Sequence, residues 1–351
     1  MHRQFAALRG LAMLMVVLNH SITMGMRAQQ MWGFPVVDGW LYQTLMVLHD
    51  VGSMFAVPVF LFISGCFFSY AAKKTDPRSL SWKVVRASAL RVFYPYLLWS
   101  VLFYIVIFFR LNESYSVTGY IKNLLVGYPF NFVPLILFFM IISPLLVRHS
   151  KRFGTLMLVL IFGYQLLLLG LHFPGAIGVP VPARLGILNL PVLGGTMAVW
   201  GIYFPLGLIY SLNSKQILPW LKRFKWVLAA ISAILFALTL LPQAASLPLP
   251  LIRTVSVLAF ILLMPTISRN AIPAVRELEK IGKHSYGLYL TNLIVLEYLL
   301  LAIKLTVPQL FNISIVLFPL IFVITLELPV WVMSKIAKSK RVHHYYRYVF
   351  G

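Results

Sequence analysis

The sequence predicts an all-α, polytopic membrane protein of about ten transmembrane helices, and three observations carry that expectation. Of its 351 residues, 60% are hydrophobic and 11% are charged, whereas a soluble domain carries about 25% charged residues. Mean hydropathy is +0.88. Apolar runs recur at the length of roughly 20 residues that a helix needs to cross a hydrocarbon core about 30 Å thick.

The spans fall, in order, at 5–24, 45–71, 92–110, 131–147, 154–171, 191–211, 226–242, 251–268, 285–303 and 313–334. The first has no small-residue cleavage site after it and reads as a membrane anchor, not a cleavable signal peptide. Lys73 and Lys74 follow the second, and Arg91 precedes the third. The fourth and fifth are separated by the basic segment Arg148 to Arg152. A loop with Pro174, Gly175, Gly178, Pro180 and Pro182 leads towards the sixth and favours irregular structure. Lys225 precedes the seventh, Arg269 follows the eighth, Lys283 precedes the ninth and Lys335 follows the tenth. One domain, residues 1–351, is expected, with a basic tail at 335–351 and no soluble domain.

Orientation follows from the basic residues. With the N-terminus inside, 24 of the 30 Lys and Arg fall on one side and 6 on the other. The excess of positive charge marks the cytoplasmic side, so both termini are expected there. The net charge of +22 lies between apolar spans and not along one amphipathic face. It therefore points to lipid phosphates or an anionic cosubstrate, and away from nucleic acid. The single cysteine, Cys66, excludes an intrachain disulfide and a Cys-based metal site. No metal is expected.

Ionisable groups inside a membrane are costly and mark candidate functional positions. The first span holds the most informative pair, Arg9 and His20, in RGLAMLMVVLNH. Eleven residues at about 100° each bring the two side chains to one helix face, roughly 16 Å apart along the axis. Two acids lie deep within spans, Glu297 in the ninth and Glu327 in the tenth. Asp50 and His49 lie near the outer end of the second.

RGLAMLMVVLNH resembles the Arg-(ten residues)-His signature on the first helix of acyltransferase family 3, bacterial integral-membrane O-acyltransferases of surface glycans and related acceptors. Three further stretches resemble that family in its order: VPVFLFISG at 57–65, RASALRVFYPY at 86–96 and IGKHSYGLYLTN at 281–292. The chain departs from the pattern at three places. It has Asn292 where the family often has His, and Ala56 where some members have His just before the second-helix proline. It has Asn131 to Leu135 where a Trp-Phe-Leu step is common.

The resemblance implies transfer of an acyl group from cytoplasmic acyl-CoA, most simply acetyl-CoA, to a hydroxyl of an extracytoplasmic glycan or glycolipid, in a bacterial inner membrane. CoA is polyanionic, so its mouth should be basic. Arg9, Arg86 and Arg91, with Lys83, Lys283 and Lys73 nearby, fall at the cytoplasmic level, and Arg offers phosphate a planar bidentate fork. Hydroxyl attack on a thioester needs a base. His20 is the candidate, with Glu297 or Asp50 as the group that orients it. Asn19, Ser64, Tyr286, Tyr289 and Asn292, within the matching stretches, are candidates for acceptor contact. An acyl-cysteine at Cys66 is disfavoured by its apolar setting. The alternative is a proton-coupled secondary transporter using buried His and Glu. Against it, the sequence lacks the matching broken helices in two halves that such a fold would show.

Overall fold

The structure, a computed structural model, describes residues 2–75, 80–241 and 247–351. It is helical, with no strand among the described residues. Two compact units divide it: one formed by Met1–Ala56, Phe93–Ser116 and Pro273–Gly351, the other by Val57–Val92 and Val117–Ile272. The helices are α1 (His2–Met31), α2 (Gly39–Thr75), α3 (Trp82–Leu111), α4 (Val117–Val126), α5 (Val133–His172), α6 (Gly194–Trp200), α7 (Tyr203–Leu212), α8 (Ser214–Arg223), α9 (Lys225–Thr239), α10 (Leu249–Leu263), α11 (Val275–Thr306), α12 (Ser314–Lys338) and α13 (Tyr346–Val349).

Every predicted span falls on helix. Eight helices or helix segments are long and apolar enough to cross a bilayer, and the bent pair α6 and α7, at 52° to each other, makes a ninth. The remaining predicted span, 226–242, falls on α9, whose 15 residues rise about 22 Å, less than the hydrocarbon core. Its last residue, 242, lies outside the described residues, as does part of the predicted basic segment after Lys73, residues 76–79. The fourth and fifth predicted spans form one helix, α5, broken at Phe153 (φ −124°, ψ 20°). Helices α1 and α11 run well past their predicted ends, because hydropathy marks only the part of a helix that lipid can cover. The polar first turns of α11, with Arg276, Glu277, Glu279 and Lys280, are invisible to it.

The first unit is organised by α1 and α11. A Cβ added at Gly10 would collide with the Leu278 carbonyl oxygen, and one at Gly282 would collide with that of Ala6. Only glycine admits a backbone approach this close, the same device by which small residues let membrane helices cross. Beyond this crossing, Ile22, Leu296, Leu300, Phe311, Phe318 and Ile321 form a buried core between α1, α11 and α12. Gln29 closes that end, its Nε2 donating to the Phe311 carbonyl at 2.8 Å and to Ser314 Oγ at 2.9 Å.

At the opposite end the basic tail is not simply a surface anchor. Lys338, Lys340, Arg341 and Arg347 are exposed, but Phe350 is buried. Trp99 Nε1 donates to the Val349 carbonyl at 2.7 Å, and the Trp99 and Phe350 rings lie 6.1 Å apart. The Tyr346 hydroxyl bonds His284 Nδ1 at 2.7 Å. Burial pushes that hydroxyl up to about 12, so it remains a neutral partner at ordinary pH.

In the second unit α7 is buried almost throughout, and a Cβ at Gly207 would collide with the Phe62 carbonyl oxygen of α2. The break between α6 and α7 frees backbone groups, which cost several kcal/mol each if left bare in hydrocarbon. Buried Gln165 answers them: its Oε1 accepts the Ile202 N–H at 2.8 Å and its Nε2 donates to the Val199 carbonyl at 3.1 Å.

Candidate active site

The glycine crossing fixes what meets further along α1 and α11. Gly10 faces Gly282, and ten residues further along each helix His20 faces Asn292. The two helices therefore run parallel in a constant register. His20 Nδ1 lies 2.6 Å from Asn292 Oδ1. The amide cannot present its other end, because Asn292 Nδ2 donates to the carbonyls of Leu288 and Tyr289, at 3.1 and 2.5 Å, on its own helix. An amide oxygen only accepts. The imidazole must then carry its proton on Nδ1 and, when neutral, present a lone pair at Nε2. His20 keeps part of its surface open, while Asn292 is fully buried.

The two carboxylates expected beside His20 stand elsewhere. Neither Glu297 nor Asp50 is bonded to it. Glu297 lies five residues past Asn292, about 7.5 Å further along α11, within reach of the charges of Arg110, Arg27 and Glu113. The Asp50 carboxylate turns to His49, with 3.4 Å between its Oδ1 and Nδ1. Asn292, expected on the acceptor, is instead the residue on His20. The sequence held one signal for it: the position is one at which the resemblance broke. Asn19, also expected on the acceptor, donates its Nδ2 to the His49 carbonyl at 3.1 Å and so ties α2 to α1. Gly52 permits that approach, a Cβ there falling 2.9 Å from the Met15 carbonyl oxygen.

Arg9 is part-buried at the other end of the stripe, beside Tyr286, whose phenol interacts electrostatically with it. Tyr289 and Tyr96, both buried, stand within reach of Tyr286. The guanidinium thus has the Tyr286 phenol of α11 beside it, roughly 16 Å along the axis from His20. Lys283 is exposed one residue past the glycine crossing.

The remaining predicted residues belong to the second unit. Lys83, Arg86 and Arg91 are exposed along the first turns of α3. Ser64 is part-buried on α2. Cys66 is buried and its thiol donates to the Gly207 carbonyl at 3.2 Å, a structural use of the sulfur. The side chain of Lys73 lies outside the described residues.

A family model described as an acyltransferase domain matches residues 3–333, nearly the whole chain. No curated protein and no solved structure matches.

Proposed function

The chain belongs to acyltransferase family 3, and from that premise we propose that this multi-pass membrane acyltransferase moves an acyl group, most simply acetyl, from cytoplasmic acyl-CoA to a hydroxyl of an extracytoplasmic glycan or glycolipid, in a bacterial inner membrane with both termini in the cytoplasm. The observation that carries the chemistry is the 2.6 Å contact between His20 Nδ1 and Asn292 Oδ1; an amide oxygen only accepts, so the proton belongs on Nδ1 and Nε2 is left to accept.

In this reaction Nε2 of His20 takes the proton of the acceptor hydroxyl as its oxygen bonds to the thioester carbonyl carbon. The tetrahedral adduct collapses with cleavage of the C–S bond. The CoA thiolate leaves and takes the proton back from the imidazolium, so the base is regenerated and no acyl-enzyme is formed. A positioned base of this kind contributes about 10²- to 10⁴-fold in rate. Asn292 is a positioning residue: it holds the ring and its tautomer, the task a carboxylate performs in other acid–base sites.

The donor side is basic. Arg9 at the start of the α1 stripe, Arg86 and Arg91 on α3, and Lys83 and Lys283 supply cations at the predicted cytoplasmic level for the phosphates of CoA. The acceptor hydroxyl approaches from the opposite end of the stripe; of the candidate contacts Ser64, Tyr286 and Tyr289, Tyr286 stands beside Arg9, on the donor side of His20.

The test is acyl transfer from radiolabelled acetyl-CoA to envelope glycans by membranes holding the wild-type chain, compared with the His20→Gln variant. Mass spectrometry of the same glycans identifies the group added. Transfer that continues in His20→Gln at the wild-type rate overturns the assignment of the base.

A further inference from the structure

The polar stripe of α1 does not stop at His20. Arg27 lies seven residues beyond it, about 700° around the helix and so within about 20° of two full turns, on the same face and about 10 Å further along. On α11, Glu297 stands near the corresponding level. The charge of Arg110, in the last turn of α3, also acts on this carboxylate. All belong to the first unit.

Three features of this group are unexplained by folding alone. Among the described residues, neither arginine closes an ion pair with Glu297. Arg110 Nε is buried with no hydrogen-bond partner, although a buried, unanswered guanidinium N–H carries a desolvation cost. A cation in the last turn of α3 suits the helix dipole, but that would be met equally well by a side chain reaching into water. Finally, Arg27 and Arg110 are two of only 6 basic residues on the predicted outer side, against 24 on the inner, so positive-inside bias does not place them there. Glu113, the other acid within reach of Glu297, accepts a hydrogen bond from the Tyr115 hydroxyl at 3.0 Å. Arg27, Arg110 and Glu297 together carry one net positive charge.

We propose that Arg27 and Arg110 form an acceptor-side subsite for an oxyanion, the carboxylate or phosphate of an acidic acceptor, with Glu297 near enough to feel both charges but bonded to neither. The inference rests on the acyl-transfer reading above and adds to it the charge of the acceptor. An oxyanion here would give both arginines the charge-assisted, bidentate partner that guanidinium geometry favours. It would sit about 10 Å from His20, so the charged group and the acylated hydroxyl are on different parts of the acceptor.

The full-length protein in nanodiscs tests this by equilibrium binding of methyl β-D-glucuronide, glucose 1-phosphate and methyl β-D-glucoside, with acetyl-CoA binding measured alongside. The expected result is binding of one or both anionic probes about tenfold or more tighter than the glucoside, weakening as NaCl is raised. The carboxylate and phosphate arms identify which oxyanion is preferred. Arg27→Gln and Arg110→Gln should each abolish the preference and leave acetyl-CoA binding intact. Equal binding of glucuronide, phosphate and glucoside by the wild type, no binding of any, or a preference that survives both Gln variants overturns the subsite. Should the Gln variants fail to fold, Arg27→Lys and Arg110→Lys, with the salt dependence of the wild type, decide: the Lys variants should weaken the preference by losing the bidentate fork. Failure of acetyl-CoA to bind the wild type would instead count against the acyl-transfer reading.

Discussion

Gly10 of α1 and Gly282 of α11 touch backbone to backbone, with no room on either for a Cβ beside a carbonyl oxygen of the other helix. This contact sets the register that brings His20 to Asn292 ten residues on. A methyl group at either glycine has to push the helices apart, and overpacking of this kind costs typically about 1–3 kcal/mol. Gly10→Ala and Gly282→Ala should therefore lower thermal stability. They should lower turnover further than the loss of folded protein explains, because a shift of about 1 Å at the reacting groups costs on the order of 10²-fold. Turnover normalised to folded protein, measured beside a melting curve, checks both effects. Wild-type turnover in both variants would detach the crossing from the site.

Much of this is legible in the sequence. Hydropathy places every span on a helix because a membrane forces apolar residues into runs of fixed length. The period of 3.6 puts Arg9 and His20 on one face because both lie on one helix. The partner of His20 is not legible for the opposite reason. Asn292 is 272 residues away, carries no charge, and is chosen by the packing of two glycines, which composition cannot reveal. Glu297 and Asp50 are the natural expectation since a carboxylate is a common orienting group. Yet one sits more than a turn too far along α11 and the other is turned to His49. Nor does spacing expose the break between α6 and α7, where buried Gln165 replaces lost helix hydrogen bonds.

The predicted topology is tested directly. With 24 of 30 basic residues on one side, single cysteines introduced at exposed positions 3 and 341 in a Cys66→Ser background should resist membrane-impermeant maleimide in intact cells, and one at position 36 should react. Labelling at 341 in intact cells would overturn the placement of the C-terminus.

Arg9, Arg86 and Arg91 are expected to bind the phosphates of CoA. Arg9→Gln, Arg86→Gln and Arg91→Gln should each weaken acetyl-CoA binding by about tenfold or more, the scale of one charge-assisted hydrogen bond. The affinity that remains should respond less to NaCl than the wild type, since fewer charges are left to screen. Titration of acetyl-CoA at low and high salt distinguishes this from a general loss of folding, which would leave no salt dependence to compare. Unchanged affinity in all three would remove the basic mouth from the donor site.

Asn292 is expected to act through His20. Asn292→Leu keeps the bulk of the side chain and removes the acceptor of the Nδ1 proton, so the ring is free to turn and to hold its proton on either nitrogen. Outer partners of this type typically cost about 10- to 100-fold when lost. The fall should appear in kcat, with acetyl-CoA binding unaffected. Asn292→His, which restores a nitrogen acceptor and the residue the family often has at this position, should recover part of the rate. A merely structural role would show the same loss in both variants and a matching loss of stability. Equal kcat in wild type and Asn292→Leu would end the positioning assignment.

The sharpest prediction concerns His20 itself. If Nε2 removes the hydroxyl proton, its loss should slow acyl transfer by about 10² to 10⁴ without weakening acetyl-CoA binding, because Arg9 and the donor side lie roughly 16 Å away along α1. His20→Ala removes the group and leaves space. His20→Gln retains a side chain able to bond Asn292 but offers no comparable base, so it separates loss of chemistry from loss of packing. Rates in the wild type should fall as acid pH protonates the imidazole, whose ordinary pKa is about 6.5, and the residual rate of His20→Gln should lose that dependence. Imidazole added to His20→Ala offers a further check, since a free base entering the vacated space should restore part of the rate. Rapid quench with labelled acetyl-CoA, followed by peptide mapping, addresses the direct character of the transfer. No label should remain on the protein. An acyl group trapped on His20 or Cys66 would establish a two-step covalent route, and near-normal turnover in both His20 variants would place the base elsewhere.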